Sequence, residues 1–179
     1  AHYVRGHVAR RQLDGDPDLR NRLATEAGEH LRRSVEIHLD LDAEFSNASY
    51  KGIANTSKGG LLEVDVALGR SDALTTIHHI TRELEQVVDP SDASLRGDML
   101  ESWGWWSIFG CNIALRHLGP TEVHRPMAIL TNKAGEIADA LGNWSLRERA
   151  FTLENFRRQR IADLTGLEPD WFLDEEEIR

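Results

Sequence analysis

The sequence predicts an α+β domain in which an N-terminal helix leads into a three-stranded antiparallel meander, followed by a mainly helical C-terminal half. Two observations carry the strands. Val35, Ile37, Leu39, Leu41, Ala43 and Phe45 alternate with Glu36, His38, Asp40, Asp42 and Glu44, and Leu62, Val64, Val66 and Leu68 alternate with Glu63, Asp65 and Ala67. Period-two alternation of this kind is the pattern of a half-buried strand. A third observation carries the helices: from Ser71 onward apolar residues recur at helical spacing between capping and stop signals.

Taken in order, residues 1 to 15 show no period and read as an arm or edge strand. Asp16 before Pro17 offers an N-cap acceptor and a proline at the first helical position. Leu19, Leu23, Ala27 and Leu31 then form a stripe to about Arg33. The alternating strand follows, with Ser46 to Ser49 as a turn, Tyr50 to Asn55 as a short second strand, Lys58-Gly59-Gly60 as a second turn, and the third strand ending at Gly69. Leu74, Ile77, Leu84 and Val88 share a helix face that Asp89 and Pro90 terminate. Residues 94 to 118 read as a glycine-interrupted helix or helix pair ending at Gly119-Pro120, and an irregular segment then carries His124 and Pro126. Asn132 caps a helix that stops at Gly142, and Ser145 with Glu148 has the capping-box spacing for a last helix ending near Gly166. Glu168 to Arg179 is an acidic tail with Trp171 and Phe172. No repeat or linker divides the chain, so residues 1 to 179 are expected to form a single domain.

Composition narrows the function classes. A chain of 179 residues, 40% hydrophobic and 28% charged, is long enough to build one substantial core. No apolar run approaches the roughly 18 residues of a membrane span, since Gly104, Gly110, Asn112 and Arg116 interrupt the richest segment. Arg5, His7, Arg10 and Arg11 leave no apolar signal core near the start, so a cytoplasmic location is the expectation, and a chain beginning at Ala1 is compatible with a longer product. Cys111 is the single cysteine, which excludes an internal disulfide and a cysteine-cluster metal site. The net charge of −9 argues against broad adhesion to nucleic acid or anionic lipid. Helix, three strands, helix is also the element order of double-stranded RNA-binding domains, but the expected lysines at the start of the second helix are missing.

The acidic strand is the leading place for chemistry. On a strand, Asp40 and Asp42 share a face about 6 to 7 Å apart, close enough to hold a divalent cation such as magnesium or manganese. Asp40, Asp42 and His38 are therefore the candidate catalytic residues. Asp40, Asp42 and Asp65 are the candidate metal ligands, with Glu63 as a further donor. Leu39-Asp40-Leu41-Asp42 resembles, over these four residues, the hydrophobic-acid segment of polymerase-like, nucleotidyltransferase-like and nuclease palms. The competing account is a wet sheet face that opposes aggregation.

A second candidate is the aromatic group Trp103, Trp105, Trp106 and Phe109, whose side chains suit a binding pocket or interface as well as an ordinary core. His79 and Glu83 lie four apart on a predicted helix, with His78 beside them at the edge of the apolar face. Glu26, Glu29 and His30 form a surface set, His2 and His7 flank Arg5-Gly6, and His117 sits at a helix end where a cation suits the dipole. Cys111 reads as a buried apolar residue.

Two functional readings follow. The favoured one is a small protein-binding or regulatory module that engages a protein partner, or a second copy of itself, through the acidic sheet face or the aromatic cluster. The alternative is a divalent-metal-dependent phosphoryl-transfer or hydrolytic enzyme built on residues 36 to 44.

Overall fold

Helices account for every regular element among the described residues, 1–14, 17–87 and 97–166, of the computed structural model. In chain order they are α1 (His2–Arg11), a 3-10 turn (Gln12–Asp14), α2 (Pro17–Phe45), α3 (Ala48–Ala67), α4 (Ala73–Gln86), α5 (Asp98–His117), α6 (His124–Leu141) and α7 (Trp144–Thr165). The α+β expectation is overturned, and the meander with its acidic sheet face is replaced by a helical hairpin.

The first predicted strand is the second half of α2. The helix that begins at Pro17 meets no glycine or proline other than Gly28 before Phe45. Extending a nucleated helix adds one hydrogen bond per residue fixed, so alternation alone does not end it. The chain turns at Ser46, whose φ is 49°, and Asn47 restarts it by accepting a hydrogen bond from the Ser49 N–H at 2.9 Å.

The second and third predicted strands, and the glycine turn between them, are all parts of α3. Glycine inside a helix costs about 1 kcal/mol relative to alanine, and here close packing offsets it. A Cβ on Gly59 would lie 2.6 Å from Cδ1 of Trp106, and one on Gly52 would lie 2.6 Å from the Asp98 carbonyl oxygen. The glycines therefore mark where α5 approaches α3, not where the chain reverses. Residues 1 to 15 likewise contain a helix in place of an arm or strand, and Gly6 brings α1 onto Leu31 of α2.

The C-terminal half follows the sequence more closely. Asp72 caps α4, accepting from the Thr75 N–H at 2.8 Å. Residues 98 to 117 form one helix whose Gly104 and Gly110 are contact points for Leu146 and Leu130. α6 starts at His124, eight residues before the expected cap at Asn132, and ends at Gly142 with φ 62°. Asn143, not Ser145, caps α7 by accepting from the Leu146 N–H at 3.0 Å, and Gly166 with φ 66° ends it. The Asp89-Pro90 stop and the acidic tail lie outside the described residues.

Two hydrophobic clusters hold the bundle. The larger draws Ile77, Ile80, Leu100, Ile113, Met127, Leu130, Ile137, Leu146 and Leu153 from α4, α5, α6 and α7. The smaller joins Ala9, Leu13, Ala24, Ala27, Leu31 and Val64 of α1, the 3-10 turn, α2 and α3. Between them, α3 and α5 pack directly. No helix among the described residues is long and apolar enough to cross a membrane.

Candidate functional site

The helical state of residues 35 to 45 rearranges the predicted chemistry. At about 100° per residue, positions two apart point about 200° from each other. Asp40 and Asp42 thus project to opposite sides of α2, and the shared carboxylate face that the alternation predicted does not form. Asp40 is exposed. Asp42 turns toward α3, 3.9 Å from Nζ of Lys51. His38 also faces α3: its Nδ1 lies 2.7 Å from the Ser34 carbonyl oxygen and its ring 6.2 Å from Tyr50. Asp65, on α3, sits between Arg32 at 3.5 Å and Arg70 at 3.3 Å. The three proposed metal ligands are thereby separated. Among the described residues no group of three or more His, Cys, Asp or Glu side chains is placed to hold a metal ion.

The same rotation produces a different surface. Residues four apart align, so Val35, Leu39 and Ala43 form one apolar stripe and Ile37, Leu41 and Phe45 another on the far side. Glu36, Asp40 and Glu44, all exposed, run between them along the face turned away from α3. Leu39 is 40% and Phe45 59% exposed. Beyond Leu31 no apolar residue of α2 belongs to either core cluster or packs against one. The last three turns of α2, braced by the start of α3, therefore present among the described residues an acidic line between two half-covered apolar stripes.

The aromatic group divides between core and boundary. Trp106 is buried, its Nε1 donates to the Asn55 carbonyl at 2.7 Å, and its ring lies 4.8 Å from that of Trp103. Phe109 is buried beneath the Arg10 guanidinium, 4.4 Å from the ring centre. Trp103 is half-buried beside the larger cluster, and Trp105, also half-buried, donates to Glu101 at 3.1 Å.

A buried ionic network escaped the sequence reading. Glu63, 1% exposed on α3, accepts from Arg10 of α1 through one carboxylate oxygen and from Arg116 of α5 through the other. Fifty-three residues separate it from each arginine, so no local spacing announces the triad. One indirect signal exists: read at helical period, Thr56, Gly59, Gly60 and Glu63 fall on one face, placing a carboxylate among small residues.

His7 belongs to the same cluster, stacked on Phe109 at 5.8 Å and edge-on to Tyr3 at 4.6 Å. Arg10 Nε donates to its Nδ1 at 3.2 Å. A guanidinium only donates, so the imidazole is neutral there and carries its proton on Nε2, which is buried with no hydrogen-bond partner among the described residues. Burial first, then the charges of Arg10 and Arg11, pull its pKa from the ordinary 6.5 to about 3. The unfolded chain gains this proton near pH 6.5 and the folded chain only near 3, so the stability contributed by neutral His7 is complete above 6.5 and is lost as pH falls between those values. Relative to His7→Gln, the wild type is expected to lose about 1.4 kcal/mol of unfolding free energy per pH unit in that window. Urea denaturation of both proteins across pH 4 to 7 checks this, and parallel pH profiles would refute it.

The remaining candidates are structural or superficial. His79 lies 3.7 Å from Glu83 and His78 is exposed. His30 meets His2 with their Nδ1 atoms 3.0 Å apart, while Glu26 and Glu29 are exposed. His117 is exposed at the end of α5. Cys111 is buried, and burial pushes its thiol far above the usual range, leaving it unreactive. A wide groove of 860 Å³ runs between α4, α6 and α7, and apart from Glu85 its charges pair within it: Arg147 with Asp139, Lys133 with Glu136, and Glu154 with both Arg157 and Arg158. Comparison with known protein families, curated proteins and solved structures finds no match for this chain.

Proposed function

We propose that this protein is a protein-binding module that engages a basic, apolar-flanked partner helix through the distal half of the α2–α3 hairpin. The observation that carries this reading is the placement of Val35, Ile37, Leu39, Leu41 and Phe45 outside both cores. Covering the exposed parts of Leu39 and Phe45 is worth on the order of 1 kcal/mol each, which the described residues leave unrealised. Glu36, Asp40 and Glu44 supply the specificity: a partner with lysines or arginines along its centre and apolar residues to either side matches the order of stripes. The overall charge of −9 favours encounter with such a partner.

A helical peptide with lysines at every fourth position, flanked by leucines, serves as a direct probe. Titration is expected to show saturable binding that weakens with salt and drops about tenfold or more in the double variant Leu39→Glu/Phe45→Glu. Helicity and melting temperature should be retained, because both side chains are exposed. Asp42→Asn, on the inward side, should bind as wild type. Equal binding by the double variant, or by a scrambled peptide of the same composition, would sink the proposal. Stoichiometric magnesium or manganese uptake lost in Asp40→Asn would instead favour the metal-dependent hydrolase.

A further inference from the structure

The chain is acidic overall, yet one cleft is basic. α1, α5 and α7 enclose a space of 460 Å³ whose walls include Arg10, Arg11, Arg116 and Arg149, with Glu148 the one carboxylate among the described lining residues. Arg10 and Arg116 share Glu63, whereas Arg11 and Arg149 at the rim face one carboxylate among the described residues, Glu148, so positive charge is in excess at the mouth of the cleft. Arg11 and Arg149, both exposed on the rim, have no ion-pair partner among the described residues.

The placement of these groups is built. Arg10 is buried, clamped by Glu63, by His7 Nδ1 and by the Phe109 face, so its guanidinium is held without help from a ligand. Its position in the last turn of α1, and that of Arg116 in the last turn of α5, suits the local dipoles, but dipoles do not explain why three helices direct arginines into one space. The first turns of α7 reach the same cleft through Ser145, Glu148, Arg149 and Thr152, bringing the positive end of that helix dipole. Asn112 and Ser145 add neutral donors, while the Thr152 hydroxyl donates to the Glu148 carbonyl within α7 at 2.9 Å.

We infer that this cleft binds a phosphate-bearing small molecule. A carboxylate offers two oxygens in one plane, whereas the donors here approach from α1, α5 and α7. A phosphoryl group offers three tetrahedral oxygens and carries up to two charges, matching both the spread of donors and the excess charge. The volume exceeds what one phosphate fills and lies within the range of small-ligand pockets, with Trp105 forming an apolar wall for the rest of the molecule. This site is separate from the α2–α3 hairpin and does not depend on the partner proposed there.

Calorimetric titration of the whole chain with pyrophosphate, at low salt, tests the inference, with citrate as a polycarboxylate of comparable charge. One saturable pyrophosphate site is expected, with citrate binding at least tenfold more weakly. Arg149→Ala should weaken pyrophosphate binding about tenfold or more, the loss of one charge-assisted contact. Glu148→Gln should strengthen it several-fold by removing the rim carboxylate. Both residues are exposed, so melting temperatures near that of the wild type will show that the variants fold. Absence of saturable binding, binding indifferent to Arg149→Ala, or equal affinity for citrate would each overturn the assignment.

Discussion

Glu63→Ala is expected to destabilise the protein by about 3 to 5 kcal/mol, because it leaves the buried Arg10 guanidinium without the carboxylate that compensates it. Glu63 is 1% exposed and the Arg10 side chain 6%, so solvent cannot replace what the substitution removes. Glu63→Gln preserves volume and one acceptor but loses the charge, and should fall nearly as far. Replacing the whole triad, as Arg10→Met/Glu63→Leu/Arg116→Met, should recover much of the loss, since buried ion pairs cost desolvation that apolar side chains avoid. Guanidinium denaturation of the three variants measures this. A loss below about 1 kcal/mol for Glu63→Ala would show that the triad is solvated in solution. The triple variant should also lose pyrophosphate binding, because Arg10 and Arg116 wall the proposed cleft.

Trp106→Ala is expected to cost a similar amount, about 3 to 5 kcal/mol, through the cavity it would open between α3 and α5. The indole fills the space over Gly59 and satisfies the Asn55 carbonyl, so its removal takes away packing and a hydrogen bond together. Trp105→Ala, at the half-buried boundary, should cost markedly less. If Trp106 were a binding residue on an open surface, its truncation would instead leave the denaturation midpoint unchanged and lower only ligand affinity. Denaturation curves for the two tryptophan variants separate these cases.

What could be read along the chain depended on whether the deciding interactions were local. Proline at position 17 and the left-handed glycines at 142 and 166 specify helix ends through groups within a few residues, and each stands where the pattern put it. The alternation at 35 to 45 misled because a period of two is compatible with a strand and with a helix bearing two opposed apolar stripes. No nearby breaker chose between them, and the helix that begins at Pro17 runs through. Lys58-Gly59-Gly60 misled for the complementary reason. Glycine marks both turns and close helix contacts, and only the position of Trp106 on another helix tells which.

By itself, then, the amino-acid sequence determined the helical C-terminal half, most of its boundaries, and the presence of an acidic, apolar segment at residues 35 to 45 with an aromatic group at 103 to 109. Only the tertiary structure decided that the acidic residues diverge around a helix, that Trp106 and Phe109 belong to the interior, and that Arg10, Glu63 and Arg116 meet. The physical reason is range. Caps and stops act through hydrogen bonds between near neighbours, whereas an ion pair bridging 53 residues and a glycine facing an indole across two helices depend on where the rest of the chain has packed.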